Sequence, residues 1–332
     1  MSLIVNKLAA TKSSKGVYRF FTNVIDNLNW DSKIEYIEST KFKMLDSVLD
    51  LSRNGVRKDI FWTPCLKGPL RVPNHIITVH DCINIEFVYK NDWRLFLFKQ
   101  IIQKIIDNSV KIVAISESTK KSFLKNYHAD DAKVVVIKSA SNFDWVEKER
   151  LRQNKLISDY PPYVLMVTNR LLHKNNLKAI KALVKSNCKK YGIELRVVGE
   201  IGRDECNLLH KNGMKFYVDS YVNDGRLFQL YSNALFLFSS SLSEGHNLPI
   251  GEALKSGANV LCSDIPAHRE FYDGMVDFFD PYDLEGMIHS VNTSLNKNGL
   301  WHLNKFDLSR NFLDVADDYR KLFMNVRREY CK

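Results

Sequence analysis

Short apolar runs rich in β-branched residues recur along the chain, and between them lie longer stretches whose apolar residues return every three or four positions. The runs are Leu3 to Val5, Ile34 to Ile37, Ile60 to Trp62, His75 to Val79, Lys111 to Ile115 and Val134 to Ile137. A second series follows at Tyr163 to Val167, Leu195 to Val198, Lys215 to Val218, Leu235 to Phe238 and Val260 to Ser263. Strands that alternate with helical stretches predict parallel sheets with crossover helices. The charged, aperiodic segment between the two series ends in Pro161-Pro162 and reads as a linker. The pattern therefore predicts one α/β domain over 1–145, a linker over 146–162 and a second α/β domain over 163–305. The remainder, 306–332, is amphipathic from Phe306 to Arg328, with Leu308, Phe312, Val315, Tyr319, Leu322 and Phe323 on one side. That spacing predicts a terminal helix packing on one domain or across both.

A chain of 332 residues that is 45% hydrophobic can fill two cores. The six cysteines are scattered with no paired spacing, so they read as reduced thiols rather than a disulfide framework or a zinc site. The first fifteen residues hold only Leu3 to Val5 as an apolar run, which does not resemble a secretory leader. No stretch approaches the roughly 18 apolar residues of a membrane span. The expectation is a cytoplasmic protein, soluble or peripheral on the inner face of the cytoplasmic membrane.

Charge sharpens this. Of the net +10, +7 falls in the first 150 residues, where 24 Lys and Arg face 17 Asp and Glu. Such an excess suits phosphorylated substrates or anionic lipid, and no nucleic-acid-binding signature accompanies it, so no nucleic-acid partner is expected. An anionic membrane surface could be met by Lys99, Lys104, Lys120, Lys121 and Lys125 with Phe96, Phe98, Ile101 and Ile105 nearby. The alternative is a core-facing helix with solvated lysines.

The stretch richest in chemistry is ALFLFSSSLSEGHNLPIGEALKSGANVLCSD, from Ala234 to Asp264. An apolar strand runs into a Ser-rich turn, Pro249 suits a first helical turn, and Gly257 ends a short helix. Glu244 then lies in the loop and Glu252 in the helix. At the carboxyl ends of parallel strands, loop amides and a helix N-terminus offer donors to phosphate, and a carboxylate one turn further on can take two sugar hydroxyls.

With Ser-x-x-Glu-Gly-x-x-Leu-Pro-x-x-Glu-Ala, this stretch resembles the signature of the retaining GT-B glycosyltransferases of family four, the glycosyl transferases of group 1. The resemblance is dense over about 163–290 and weaker before it. It implies a GT-B fold, two Rossmann-like doubly wound domains facing across a cleft. It also implies that Glu252 binds the donor ribose, that Glu244 approaches the transferred sugar, and that Gly245, His246, Asn247 and Leu248 line the donor. His246 and Asn247 depart from the usual aromatic residue and glycine, which leaves sugar identity open.

Other matches are thinner. In VLMVTNRLLHKNN, Lys174 fits the lysine before the second-domain helix, whereas Arg170 is one position off the usual arginine; both cations would offset diphosphate charge. His80, followed by Asp81 after the fourth strand, occupies the place of a histidine that contacts the donor sugar, or it is simply structural. Gly16 in SSKGVYRFF is what remains of a glycine pair in the first loop, or a turn cap. Ser116, Glu117 and Ser118 read as N-cap chemistry. The stretch from Tyr221 to Tyr231, then Asn233, resembles the base-proximal loop and helix.

The resemblance implies transfer of a hexose, mannose being the lead, from a nucleoside-diphosphate sugar to a glycan or polyprenyl-linked acceptor. Anomeric configuration would be retained, and the setting would be O-antigen or other lipopolysaccharide assembly. No Asp-x-Asp triplet occurs, so no essential metal and no cofactor beyond the donor is expected. A nucleotide-sugar epimerase of the same fold and a non-catalytic nucleotide-sugar-binding paralogue are the rival readings; product analysis and donor turnover separate them.

Overall fold

A computed structural model describes residues 2–7, 15–37, 59–88, 94–140, 146, 161–297 and 310–330. Most of the expected linker, 147–160, and the start of the expected terminal helix, 306–309, lie outside the described residues. The chain divides into two compact units, Met1–Ala140 with Ser309–Lys332, and Ser141–Leu308.

The first unit carries β1 (Leu3–Asn6), α1 (Lys15–Asn27), β2 (Ile34–Ile37), β3 (Ile60–Thr63), β4 (His75–Val79), α2 (Arg94–Asp107), β5 (Ser109–Ala114), α3 (Glu117–Asn126) and β6 (Val134–Val136). Its sheet is parallel throughout, in the order β2-β1-β3-β4-β5-β6. β3 and β4 are buried at every position, which is why they read as unbroken apolar runs. The capping reading of Ser116 holds: it is the N-cap of α3, and its hydroxyl accepts from Thr119 N at 3.0 Å.

The second unit carries β7 (Tyr163–Thr168), α4 (Asn176–Lys185), β8 (Glu194–Gly199), α5 (Arg203–Lys211), β9 (Phe216–Asp219), α6 (Asp224–Asn233), β10 (Phe236–Ser239), α7 (Leu248–Lys255), β11 (Val260–Ser263), α8 (Pro266–Tyr272), β12 (Asp277–Phe279) and α9 (Leu284–Asn296). Its parallel sheet runs β12-β11-β10-β7-β8-β9. The chain winds outward from β7 to β9, then returns beside β7 and winds the other way from β10. That reversal is a topological switch point, where doubly wound sheets open a crevice for ligands.

The last helix, α10 (Phe312–Tyr330), belongs to the first unit. Asn311 fixes its start, because its side-chain oxygen accepts from the Leu313 and Asp314 amides. Phe312, Val315, Tyr319 and Phe323 are buried in one cluster with Trp62, Phe20 and Phe21. The Tyr319 hydroxyl meets the Thr78 hydroxyl at 2.8 Å, and Trp62 Nε1 donates to the same Thr78 oxygen at 3.1 Å. On α2 the expectation of an exposed Ile105 is corrected: Ile105 is fully buried beneath the sheet strands, while Phe96, Leu97 and Ile101 are exposed. Lys120 is likewise removed from the candidate surface, since it pairs with Asp131 at 2.9 Å and donates to the Val134 carbonyl. Among the described residues no helix is long and apolar enough to cross a membrane.

Candidate functional site

The switch point of the second unit is built from two loops, one after β7 and one after β10. The first makes a 3-10 turn over Leu172–Lys174 and passes through Asn175 in the left-handed region (φ 56°) to start α4. The second runs from Ser240 to Asn247 before α7. Backbone and side chain tie them together: Leu242 N donates to the His173 carbonyl at 2.7 Å, and the Ser240 hydroxyl donates to the Lys174 carbonyl at 2.7 Å.

This tie brings Lys174 and Glu244 into contact. Lys174 Nζ donates to Glu244 Oε1 at 2.5 Å and the Ser241 hydroxyl donates to the same oxygen at 2.6 Å, with the two charged side chains only 16% and 10% exposed. Burial alone would raise the Glu244 carboxyl. The Lys174 charge and the hydrogen bonds from Lys174 and Ser241 outweigh it and hold the group below the usual carboxylate range. Both bonds fall on Oε1; Oε2 is a second acceptor suited to an incoming hydroxyl, and an ammonium with three N–H donors can also serve an anion.

Glu252 is the fifth residue of α7 and 6% exposed; its Oε2 accepts from the Tyr231 hydroxyl at 3.1 Å. Tyr231 comes from α6, so the stretch from Tyr221 to Tyr231 reaches the site through this phenol. Gly245 is buried and Leu248 opens α7. His246 is buried and stacked on Phe271 with ring centroids 3.9 Å apart, its Nδ1 has no hydrogen-bond partner, and burial pushes its pKa down to about 3. Asn247 sits at φ 72°. A glycine is the usual occupant of such a conformation and asparagine the next most tolerant, so backbone geometry accounts for this departure from the signature.

Arg170 goes elsewhere. Its Nε donates to the Ile201 carbonyl at 3.1 Å and faces Glu200 at 3.3 Å, on the loop after β8, with the side chain 67% exposed. In the first unit, His80 Nε2 donates to the Pro64 carbonyl at 2.8 Å and the ring stands edge-on to Phe20 at 4.8 Å. Burial pushes its pKa down to about 4, so the ring is neutral and its Nδ1 is an acceptor. Asp81 Oδ1 accepts from the Ile83 amide at 3.1 Å in the turn that follows. Gly16 lies in the first turn of α1, where an added Cβ would meet nothing within 4 Å; the loop residues 8–14 before it lie outside the described residues.

The sequence reading assigned no role to Tyr231, Ser241 or the buried trio Ser263, His268 and Tyr272 that backs the Glu244 loop. Tyr231 stands in the stretch from Tyr221 and Ser241 opens the Ser-x-x-Glu signature, so these two had a sequence signal, whereas His268 and Tyr272 had none. Among the described residues no group of three His, Cys, Asp or Glu side chains is placed to hold a metal ion.

Residues 147–300 match the family model described as glycosyl transferases group 1. The chain is 25% identical over 295 residues, 85% of its own length and 78% of the relative's, to the O-antigen chain mannosyltransferase RfbU of Salmonella typhimurium. Among solved structures, the sucrose-phosphate synthase of Thermosynechococcus elongatus superposes with a TM-score of 0.69 at 12% identity, covering 99% of this chain and 98% of that one. HepE of Anabaena, in complex with UDP and glucose, superposes at 0.66 with 12% identity over 99% and 98%. The two parallel sheets and these superpositions establish the GT-B fold.

Proposed function

From the premise that the chain is a glycosyltransferase of GT-B fold whose second unit is a group 1 domain, we propose that it moves a hexose from a nucleoside-diphosphate sugar to a glycan or lipid-linked acceptor, with retention of anomeric configuration. The observation that carries this is the buried Lys174–Glu244 pair at the switch point, with Glu252 in the helix that follows. A donor lying along this strand-loop-helix unit would set its ribose at Glu252, its diphosphate at the start of α7 and Lys174, and its sugar at Glu244.

Charge accumulates on the diphosphate as the glycosidic bond breaks, so a pre-placed ammonium stabilises the transition state more than the ground state. In the front-face route the leaving diphosphate helps to deprotonate the incoming hydroxyl. Glu244 Oε2 then accepts from a hydroxyl of the sugar. Lys174 does the charge compensation, so no essential metal enters the proposal.

The O-antigen mannosyltransferase relative supports mannose as the hexose and a lipid-linked glycan as the acceptor. The exposed stripe of Leu97, Ile101 and Lys104 on α2, with Phe96 beside it, supports contact with an anionic membrane on which such an acceptor would reside. The test is turnover of UDP-glucose, UDP-galactose and GDP-mannose with polyprenyl-linked glycan, the product's anomeric configuration being read by NMR. Release of nucleoside diphosphate with an inverted product would overturn retention; an isomerised donor sugar with no acceptor product would point to an epimerase instead.

A further inference from the structure

Behind the loop that carries Glu244 lies a chain of buried hydrogen bonds supplied by β11 and α8. His268, fully buried, points Nδ1 at the Ser263 carbonyl at 2.8 Å and Nε2 at Asn247 Nδ2, also at 2.8 Å. Asn247 Nδ2 reaches the Ser239 hydroxyl at 3.0 Å as well, and the Tyr272 hydroxyl donates to the Asn247 carbonyl at 3.0 Å. The Ser263 hydroxyl donates to the Ser241 carbonyl at 2.5 Å, and Ser241 in turn holds Glu244.

The polarity of this chain is determined. A carbonyl oxygen can only accept, so Nδ1 of His268 carries the proton. The ring is neutral, since burial pushes its pKa down to about 4, and Nε2 is therefore an acceptor. Asn247 must then present its NH2 and not its carbonyl to the ring, which fixes the amide orientation that distances alone would leave open. With its side chain held by Ser239 and His268 and its own carbonyl held by Tyr272, Asn247 is locked in the left-handed conformation (φ 72°) that directs the chain into α7.

We propose that His268 is a positioning residue of the donor site, acting through Asn247 to set the turn between Glu244 and the start of α7. It touches no substrate. The ring holds Asn247 on one side and the Ser263–Ser241–Glu244 line on the other, so the loop carboxylate and the helix amides keep a single spacing. This inference rests on the glycosyl-transfer reading for its consequence in rate, although the clamp itself can be observed without any transfer.

Three substitutions dissect it. Asn247→Gly keeps a residue at ease at positive φ and removes only the amide. His268→Asn retains a donor near the Nδ1 position for the Ser263 carbonyl but cannot reach Asn247, whereas His268→Gln places an acceptor near the Nε2 position. With the fastest donor among UDP-glucose, UDP-galactose and GDP-mannose, we expect Asn247→Gly and His268→Asn each to lower kcat about tenfold. The double variant should be no slower than either single one, His268→Gln should recover most of the rate, and calorimetric affinity for the matching UDP or GDP should change less than about twofold in all four.

Losses that multiply in the double variant, an unchanged kcat in Asn247→Gly, or a fall in rate that merely tracks thermal stability would overturn the proposal. A 15N-histidine NMR spectrum of the unmutated protein at neutral pH should show His268 as the Nδ1–H tautomer, shifting in Asn247→Gly; an Nε2–H tautomer would refute the clamp directly. If the unmutated protein turns over none of the three donors, the glycosyl-transfer reading fails, and the spectrum still decides the clamp.

Discussion

Lys174 and Glu244, 70 residues apart, meet at 2.5 Å where the loops after β7 and β10 converge, and each is the other's principal charge partner in a largely dehydrated site. Removing one member of such a pair leaves the other charge buried, which typically costs about 3 to 5 kcal/mol, whereas removing both is far less costly. Lys174→Met and Glu244→Gln should therefore each lower the urea midpoint, and the double variant should recover most of the loss. In kinetics, Lys174→Met should reduce turnover of the nucleotide sugar far more than affinity for the free nucleoside diphosphate. Glu244→Gln should spare that affinity and lose transfer. A double variant as unstable as the sum of the singles would show that the two charges are not coupled.

Glu252 is placed to serve the other end of the donor. Its carboxylate, already accepting from Tyr231, would exchange or share that bond with ribose hydroxyls. Loss of an ionised partner for a hydroxyl pair costs about 1.5 to 3 kcal/mol, roughly ten- to hundredfold in affinity. Glu252→Gln should weaken calorimetric binding of the nucleoside diphosphate by that factor, and Tyr231→Phe by less. Unchanged affinity in Glu252→Gln would remove the ribose assignment.

Eleven of the twelve strands among the described residues were legible as short β-branched or aromatic runs; inner strands such as β3 and β4 are continuous apolar runs because both faces are buried, whereas β2 and β9, largely unburied, were read from their β-branched and aromatic residues alone. The twelfth, Asp277–Phe279, has three residues and begins with an acid that pairs with Lys297, so its composition gave no signal. The Glu244 and Glu252 pair was legible because one strand-loop-helix unit sets their spacing locally. The meeting of Lys174 with Glu244 was not, since it depends on β7 and β10 being neighbours in the sheet. Ser263, His268 and Tyr272 carry no periodicity and act only through tertiary contact with Asn247 and Ser241. Ile105 misled for a simpler reason: alternate faces of one apolar helix look the same until the sheet chooses between them.

Gly199 closes β8 at φ 110°, and a Cβ built there would sit 1.9 Å from the Thr168 carbonyl oxygen at the end of β7. Neither rotamer change nor side-chain movement can relieve a clash with backbone. Gly199→Ala should destabilise the second unit by more than about 1 kcal/mol and disturb the loop that leads to Lys174. Chemical denaturation measures the first effect and nucleoside-diphosphate calorimetry the second. An alanine variant of native stability would show that β7 and β8 separate more easily than their register implies.

Membrane contact would run through α2. Leu97, Ile101 and Lys104 fall three or four positions apart and share one exposed face, while Ile102, Ile105 and Ile106 hold the opposite face in the core. Each cation near an anionic surface contributes about 1 kcal/mol, and the exposed apolar side chains add burial in the headgroup region. Flotation with phosphatidylglycerol vesicles should be lost in Phe96→Ser with Ile101→Ser and reduced in Lys104→Gln. Absence of flotation in the unmutated protein would remove this surface from the proposal.

Acid should destabilise the fold well before its carboxylates titrate. Five histidines are held neutral by burial, with pKa values pushed down from 6.5 to about 3 at His75 and His246 and about 4 at His80, His173 and His268. Between pH 6.5 and about 4 the unfolded chain binds protons at these positions that the folded chain refuses, so stability is fully present above pH 6.5 and falls as pH drops through that window. Each group contributes up to about 1.4 kcal/mol per pH unit, giving a loss of several kcal/mol by pH 5. Glu244 acts in the same direction but at lower pH: its depressed pKa adds stability above the ordinary carboxylate value of 4.5, lost only as pH falls through its lower folded value. Urea midpoints measured from pH 7.5 to 5 should therefore decline steeply, and His268→Gln should flatten the slope by about one proton. A midpoint unchanged across that range would show that these rings take up protons in the folded state, and the neutral-tautomer argument for His80 and His268 would fall with it.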